Sequence, residues 1–391
     1  MKVFFVVGEE SGDLLGAELI EALRRLAPDV SIAGSGGPRM AAQGLQPLFP
    51  LSDIAVMGFT AVVARLPTLV RRINNCVEAV LASEPDVLVI IDSPDFTHRV
   101  ASRIRSQAPT IPIVAYVSPS VWVWRSGRAR KMAGFVDHLL AILPFEPEVH
   151  RRLNGPPCTY VGHPLLTQLD RLRPNEGERR GLETIDRPVL LVLPGSRRSE
   201  ISRLMKPFAD TLERVVPEFP TLDLVLPAVD HLEADIRAMV RDWPVQPEIV
   251  SGEAAKLDAF RRAHAALAAS GTVTLELALS GVPMVVAYKV DIVYASLRKL
   301  SGVTPVISLP NIILDEEVVP ELIEEKAEPD IMAEALAPLL TDSPERSRQI
   351  GAFRRLDDLM RLEDESRPAD KAAGVVFECA QKGRRSSEPV R

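Results

Sequence analysis

Short apolar runs alternate with longer amphipathic stretches along most of the chain. The first run, Lys2–Val7, is β-branched and aromatic and predicts a buried strand; Gly8 to Gly12 then turns into a helix reaching about Leu26. Residues 30–33 predict a second short strand, followed by the glycine turn Gly34-Ser35-Gly36-Gly37. Val87–Ile91 is continuously apolar, the pattern of a strand covered on both faces. Residues 111–117 and 138–143 repeat the theme. Between 170 and 187 charge is dense (Arg171, Arg173, Glu176, Glu178, Arg179, Arg180), which predicts a surface linker or exposed helix. The pattern then restarts, with strands expected at Val189–Leu193, 222–226, 249–250, 265–268 and 283–288. Strands alternating with helices predict a parallel α/β sheet in each half. No short repeat is present, and the Ser-, Arg- and Lys-rich tail after about Lys382 is expected to fray.

Length agrees with two such halves: 391 residues, at roughly 100–200 per domain, make two or three domains. The expected boundaries are 1–170 and 171–342, with residues 343–380 a candidate helix returning to the first domain. The composition, 46% apolar and 25% charged, is that of a globular protein with a sizeable core. A net charge of −7 argues against a broad nucleic-acid footprint. Cys76, Cys158 and Cys379 are scattered and form no C-x-x-C pair, so neither a zinc site nor a disulfide framework is expected, and a reducing cytosol fits best. The apolar start is too short for a signal-peptide core, and no run approaches the roughly 18 apolar residues of a membrane span. The reading is a soluble or peripheral protein.

In open α/β sheets, ligands sit outside the carboxyl ends of the strands. Five such ends carry candidate chemistry. At Gly8-Glu9-Glu10-Ser11-Gly12-Asp13 the glycines let a ligand approach the backbone, and Ser11 or Asp13 is suited to cap the helix; the spacing is not G-x-G-x-x-G, so dinucleotide binding is not indicated. Asp92-Ser93-Pro94-Asp95 follows a buried strand, which suits Asp92 to a general base and Asp95 to a helix cap. Ser118-Pro119-Ser120-Val121-Trp122-Val123-Trp124 holds two of the three tryptophans; core packing explains either alone, and an aromatic wall beside serines also suits a substrate with sugar and acyl parts. Gly195-Ser196-Arg197-Arg198-Ser199-Glu200 opens a helix with backbone N–H groups and guanidinium, a phosphate-binding arrangement without the lysine of a P-loop. Ser270-Gly271-Thr272 opens another helix, with Glu276 one turn in, suited to a diphosphate and to two ribose hydroxyls respectively.

One further segment bears on partners. Phe59, Val62, Val63, Leu66, Leu69, Val70 and Ile73 recur at spacings of three and four beside Arg65, Arg71 and Arg72. That face fits a helix lying in a membrane interface, or an ordinary core-facing helix interrupted at Pro67.

These motifs, with Gly36-Gly37-Pro38-Arg39-Met40, Ala55-Val56-Met57-Gly58, Leu143-Pro144-Phe145-Glu146, Gly162-His163 and Ser308-Leu309-Pro310-Asn311, occur in an order that resembles the lipid-A-disaccharide synthase family. The resemblance runs from Val6 to about Leu340. Glu10, Ser93 and Val123 depart from it, and the tail beyond about Arg367 matches poorly. It implies a GT-B fold, two Rossmann-like α/β domains facing across a cleft, and an inverting, metal-independent glycosyltransferase. The implied reaction joins the sugar of UDP-2,3-diacylglucosamine to 2,3-diacylglucosamine 1-phosphate in lipid A synthesis. By motif match Asp92 is the base and Arg197 the essential cation. Gly195, Ser196, Arg197, Glu200, Ser270, Gly271, Thr272 and Glu276 fall at the nucleotide site, and Glu9, Ser11, Gly12, Ser118, Trp122 and Asn311 at substrate positions.

No D-x-D element is present, and no metal or cofactor is expected. Acylated substrates imply contact with the cytoplasmic face of the inner membrane. A homodimer is an assembly open to such a chain. The competing readings are another GT-B enzyme or epimerase acting on UDP-N-acetylglucosamine, and a two-lobed sugar-binding protein.

Overall fold

The computed structural model of the chain describes residues 1–54, 59–123, 126–289 and 306–387, except the side chains of 59–64 and 384–387. The chain divides into two compact units, one made of Met1–Leu166 with Met360–Arg391 and the other of Thr167–Leu359.

The first unit is built on β1 (Lys2–Val7), β2 (Ser31–Ser35), β3 (Val87–Ile91), β4 (Ile113–Tyr116), β5 (His138–Ala141) and β6 (Cys158–Tyr160). All pair in parallel, in the order β2-β1-β3-β4-β5-β6. Its helices are α1 (Glu10–Leu26), α2 (Pro38–Ala42), α3 (Phe59–Ser83), α4 (Pro94–Gln107), α5 (Gly127–Met132) and α6 (Glu146–Arg152). Strands that must bury both faces need apolar residues at every position. Val3, Phe5, Val7, Val89 and Ile91 pack with Leu19 and Leu23 of α1 and with Ala372, Ala373 and Val376 of the helix Pro368–Ser387. Phe4, Val6, Leu88 and Ile90 face Ile73 and Val77 of α3 and Val100 and Ile104 of α4. The final helix thus closes the first unit and runs past Lys382, where fraying was expected.

The second unit repeats the plan with β7 (Val189–Leu193), β8 (Asp223–Ala228), β9 (Glu248–Ser251), β10 (Ala265–Ala269), β11 (Met284–Tyr288) and β12 (Glu321–Ile323), ordered β12-β11-β10-β7-β8-β9. Helices α7 (Leu169–Leu172), α8 (Arg198–Val215), α9 (Glu233–Met239), α10 (Glu253–Arg262) and α11 (Val273–Leu279) are followed, among the described residues, by Leu309–Leu314, Pro329–Leu336 and Pro344–Met360. Its core joins Leu190, Val192, Leu224, Leu226 and Leu267 to Leu204, Phe208 and Leu212 of α8.

Strand order reverses once in each sheet, between β1 and β3 and between β7 and β10. At such a switch point two neighbouring strand-to-helix turns diverge to opposite faces and leave room for a ligand.

Two strands go beyond the sequence reading, and two expectations are corrected. Strands β6 and β12 were not legible: each has three residues and is not apolar throughout. The charged stretch 170–187 is no plain linker. Arg179 is largely buried and donates to the carbonyls of Phe260 (2.7 Å), Ser280 (2.9 Å), Gly281 (3.0 Å) and Arg261 (3.1 Å), pinning the stretch to its unit. Burial pushes that guanidinium down to about 10, with Arg346 nearby adding to it. Pro67 does not interrupt α3, which continues to Ser83.

Candidate active site

In the first unit the switch point brings the turn after β1 against the turn after β3. A Cβ on Gly8 would lie 2.3 Å from that of Ser93, so only glycine admits this approach. Asp92 and Ser93 both take left-handed backbone, at φ of 54° and 46°. Such conformations cost free energy in non-glycine residues and need local support. The support is visible: Asp92 N–H donates to Tyr116 O (3.1 Å), and the Thr97 hydroxyl donates to Asp92 O (2.7 Å). The carboxylate is held at both oxygens. The Ser11 hydroxyl donates to Oδ2 (2.8 Å) and the Ser93 N–H to Oδ1 (2.7 Å). The Ser93 hydroxyl in turn donates to Glu9 Oε1 (3.2 Å). Asp92 thus stands half-buried at a strand end with its orientation set, an arrangement able to accept a proton from a bound hydroxyl. Beside it lies a small recess, partly open to solvent, walled by Pro94, Thr97, His98, Tyr116, Val117 and Pro119. Burial, with Arg128 nearby, pulls the His98 imidazole down to about 4, so it is neutral.

Several expected roles move. Neither Ser11 nor Asp13 caps α1. Ser11 serves Asp92, and Asp13, buried, accepts from the N–H groups of Gly37 (2.7 Å), Arg39 (2.9 Å) and Met40 (3.1 Å) at the start of α2. Asp95 does not cap α4; it lies within the first turn and pairs with Arg128 at 3.1 Å. Gly12 is a packing glycine, since a Cβ there would meet Val7 Cγ1 at 2.9 Å.

Ser118 follows β4 and is buried. Its hydroxyl lies 2.8 Å from His150 Nε2 and donates to Pro119 O (3.0 Å). Burial pulls His150 down to about 4, and its Nδ1 has no hydrogen-bond partner among the described residues. Placing the proton on Nε2 leaves no buried N–H unpaired. Ser118 is then committed inward. Trp122 packs edge-to-face on Phe145, centroids 5.0 Å apart, over the small cluster of Val121, Ala129 and Val149. Glu146 ties down the turn that precedes Phe145: its Oε2 accepts from the N–H groups of Leu143 (2.8 Å) and Ile142 (2.9 Å). Trp124 and the motif Ala55 to Gly58 lie outside the described residues.

In the second unit the turns after β7 and β10 flank the switch point. The start of α8 is not the open phosphate cradle expected. Glu200 Oε2 already accepts from the N–H groups of Ser196 (3.1 Å) and Arg197 (3.3 Å), and Oε1 accepts from Arg197 Nη1 (2.9 Å). Gly195, at φ 116°, is required here, because a Cβ would meet that of Glu200 at 2.6 Å. Glu200 therefore shapes the turn and holds Arg197, whose side chain stays 58% exposed. After β10, a Cβ on Gly271 would meet nothing within 4 Å among the described residues, so these leave space above the Ser270-Gly271-Thr272 turn. Glu276 stands one turn into α11, 17% exposed. Lys256 of α10 lies 2.5 Å from its Oε2, an ionic contact off the line of a hydrogen bond.

Asn311 has no capacity left for a substrate. Its Oδ1 accepts from Val318 and Val319 N–H, and its Nδ2 donates to Val319 O and to Glu321 Oε1 (2.8 Å each for the two donated bonds). Glu321 also accepts from Ser308 N–H, the Ser308 hydroxyl and Ile307 N–H, while the Ser270 hydroxyl donates to Ile307 O. Asn311 thus braces the segment behind Ser270. Lys256, His150 and Glu321 were not legible as site residues, because each acts through a partner distant in sequence or buried.

The face expected on α3 is split. Ile73 is buried and Leu69 packs on the core, whereas Leu66 and Val70 stand 50% and 41% exposed. Arg72 is bound to Asp53 and covers the Phe49 ring. The side chains of Phe59, Val62 and Val63 are not described. Among the described residues, no helix is long and apolar enough to cross a membrane.

Comparison with known proteins gives one family. Residues 3–374 match the model of the lipid-A-disaccharide synthetase family. The lipid-A-disaccharide synthase of Bradyrhizobium diazoefficiens is 53% identical over 388 residues, covering 98% of each chain. That of Nitrobacter winogradskyi is 53% identical over 385 residues, covering 98% of this chain and 96% of its own. Among solved structures, the UDP-GlcNAc 2-epimerase of Neisseria meningitidis superposes with a TM-score of 0.63 at 14% identity, covering 98% of this chain and all 100% of the other. The spinosyn rhamnosyltransferase SpnG gives 0.57 at 15% identity, over 96% and 100%. These structural likenesses establish the fold, two Rossmann-like units of the GT-B type.

Proposed function

The chain belongs to the lipid-A-disaccharide synthase family, and we propose that it carries out that family's reaction through Asp92, Arg197 and Glu276. It is a glycosyltransferase of lipid A synthesis. It moves 2,3-diacylglucosamine from UDP to the 6-hydroxyl of 2,3-diacylglucosamine 1-phosphate, forming a β-1,6 bond and releasing UDP. Inversion takes a single in-line displacement: the acceptor oxygen bonds to the sugar carbon, the bond to the diphosphate breaks, and the hydroxyl proton leaves.

In our reading Asp92 takes that proton. The observation that carries it is the fixed carboxylate at the switch point, with one oxygen on the Ser11 hydroxyl and the other on the Ser93 N–H. Ser11 is then a positioning residue. Glu9, through Ser93, supports the same turn. Ser118 and Trp122 contribute a wall for the acceptor. Negative charge grows on the departing diphosphate. Arg197, held by Glu200, supplies a guanidinium for it, and the open turn of Ser270, Gly271 and Thr272 supplies backbone donors. Glu276 accepts ribose hydroxyls. This assignment gives the chemistry no metal to depend on. Acylated substrates place the work at a membrane surface, peripherally and on the cytoplasmic side, with Leu66 and Val70 as the exposed apolar contact.

The test is UDP release from UDP-diacylglucosamine with and without acceptor, in detergent and with EDTA. We expect acceptor-dependent release that EDTA leaves intact. Asp92→Asn should lose release by about a thousandfold while binding UDP as before. An Asp92→Asn enzyme turning over at the parent rate refutes the base assignment; loss of release on adding EDTA refutes metal independence.

A further inference from the structure

Glu276 presents two unlike oxygens. Among the described residues Oε2, which is buried, takes no directed hydrogen bond, and the Lys256 ammonium lies 2.5 Å from it. No hydrogen bond to Oε1 is made among the described residues. Lys256 is itself anchored. Its backbone N–H donates to Gly252 O (3.1 Å), and its ammonium lies 5.3 Å from the centroid of the Phe260 ring, one turn along α10. The carboxylate is thus pinned at one oxygen and free at the other.

A buried carboxylate oxygen without a donor is costly. Without Lys256, Glu276 would relieve that cost by turning toward water, and the orientation of Oε1 would be lost. The ammonium also offsets the carboxylate's charge, which otherwise repels an anionic nucleotide. We propose that Lys256 is a positioning residue of the donor site. It holds Glu276 so that the free oxygen accepts a ribose hydroxyl, and it thereby sets the preference for a ribonucleotide. This rests on the reading above that Glu276 meets the ribose.

The experiment measures binding of UDP and of 2′-deoxy-UDP to the full-length protein and to Glu276→Ala, Lys256→Met and Lys256→Arg. The parent should prefer UDP by about tenfold, the worth of one hydrogen bond to a charged group. Glu276→Ala should abolish that preference. Lys256→Met should weaken UDP about five- to tenfold, weaken 2′-deoxy-UDP less, and compress the preference toward unity; Lys256→Arg should restore most of it. In turnover, Lys256→Met should raise the donor KM and leave kcat within about twofold. If Glu276→Ala abolishes the preference and Lys256→Met keeps it, the role of Lys256 is overturned while the ribose assignment stands. If Glu276→Ala keeps the preference, the ribose assignment falls, and this inference with it. Should Lys256→Met not fold, Lys256→Leu, which can neither neutralise the carboxylate nor donate to it, takes its place with the same expected outcomes.

Discussion

Glu146 gives a pH dependence that can be worked from its surroundings. The residue is 1% exposed, and burial pushes its carboxyl up from 4.5 to about 8, against the pull of the Leu143 and Ile142 N–H bonds. Below pH ~4.5 the group is protonated whether the chain is folded or not. As pH rises further the unfolded chain releases the proton and the folded one keeps it, so stability falls until the folded group also ionises near pH 8. Each pH unit costs roughly 1.4 kcal/mol per proton, or on the order of 4 kcal/mol between about pH 5 and 8. Glu146→Gln keeps an oxygen for both N–H bonds and has nothing to titrate. It should lie close to the parent at about pH 5 and become progressively more stable than it as pH rises. At roughly 2–4 °C per kcal/mol for a unit of this size, the gap in Tm should widen by roughly 10 °C. Thermal unfolding of both proteins across that range, followed on the transition of the first unit, measures it. Parallel Tm profiles would show that Glu146 is ionised in the folded protein, and would refute the reasoning.

Three shorter predictions follow from other contacts. Ser11→Ala removes the hydroxyl on Asp92 Oδ2 and should lower kcat about tenfold with UDP affinity unchanged, as read by UDP release and calorimetry. Arg179→Ala leaves four backbone carbonyls without their donor and should destabilise the second unit by about 3–5 kcal/mol in urea; Arg179→Lys should rescue little, because one ammonium cannot span them. Leu66→Glu with Val70→Glu should reduce co-sedimentation with anionic liposomes and leave Tm within about 1 °C, since both side chains are exposed. Unchanged sedimentation would place the membrane contact elsewhere.

Much of this protein is written locally. Lys2–Val7, Val87–Ile91 and Val189–Leu193 read as strands to the residue, because a strand covered on both faces must be apolar throughout. The candidate turns are legible for a related reason: glycine, serine and acid directly after a buried strand can only stand at a sheet's carboxyl edge. Family membership follows from the order of those turns. Partnership is not local. Ser11 and Asp92 lie 81 positions apart and meet because the sheet reverses its order between β1 and β3. The same holds for Asp13, which looks like a cap for its own helix and instead caps α2 across the sheet edge. Periodicity on α3 marks seven apolar positions as one face, yet only packing against β1 and β3 separates buried Ile73 from exposed Leu66. Glu200, Asn311 and Glu276 are polar residues in suggestive places whose sequence neighbours do not say which hydrogen bonds are already spent. The fold spends Asn311's entirely, uses Glu200 to hold Arg197, and among the described residues leaves one oxygen of Glu276 without a hydrogen bond. Sequence determines where strands, turns and their chemistry fall, since these depend on neighbours along the chain. Tertiary structure decides which side chains remain available, since that depends on neighbours in space.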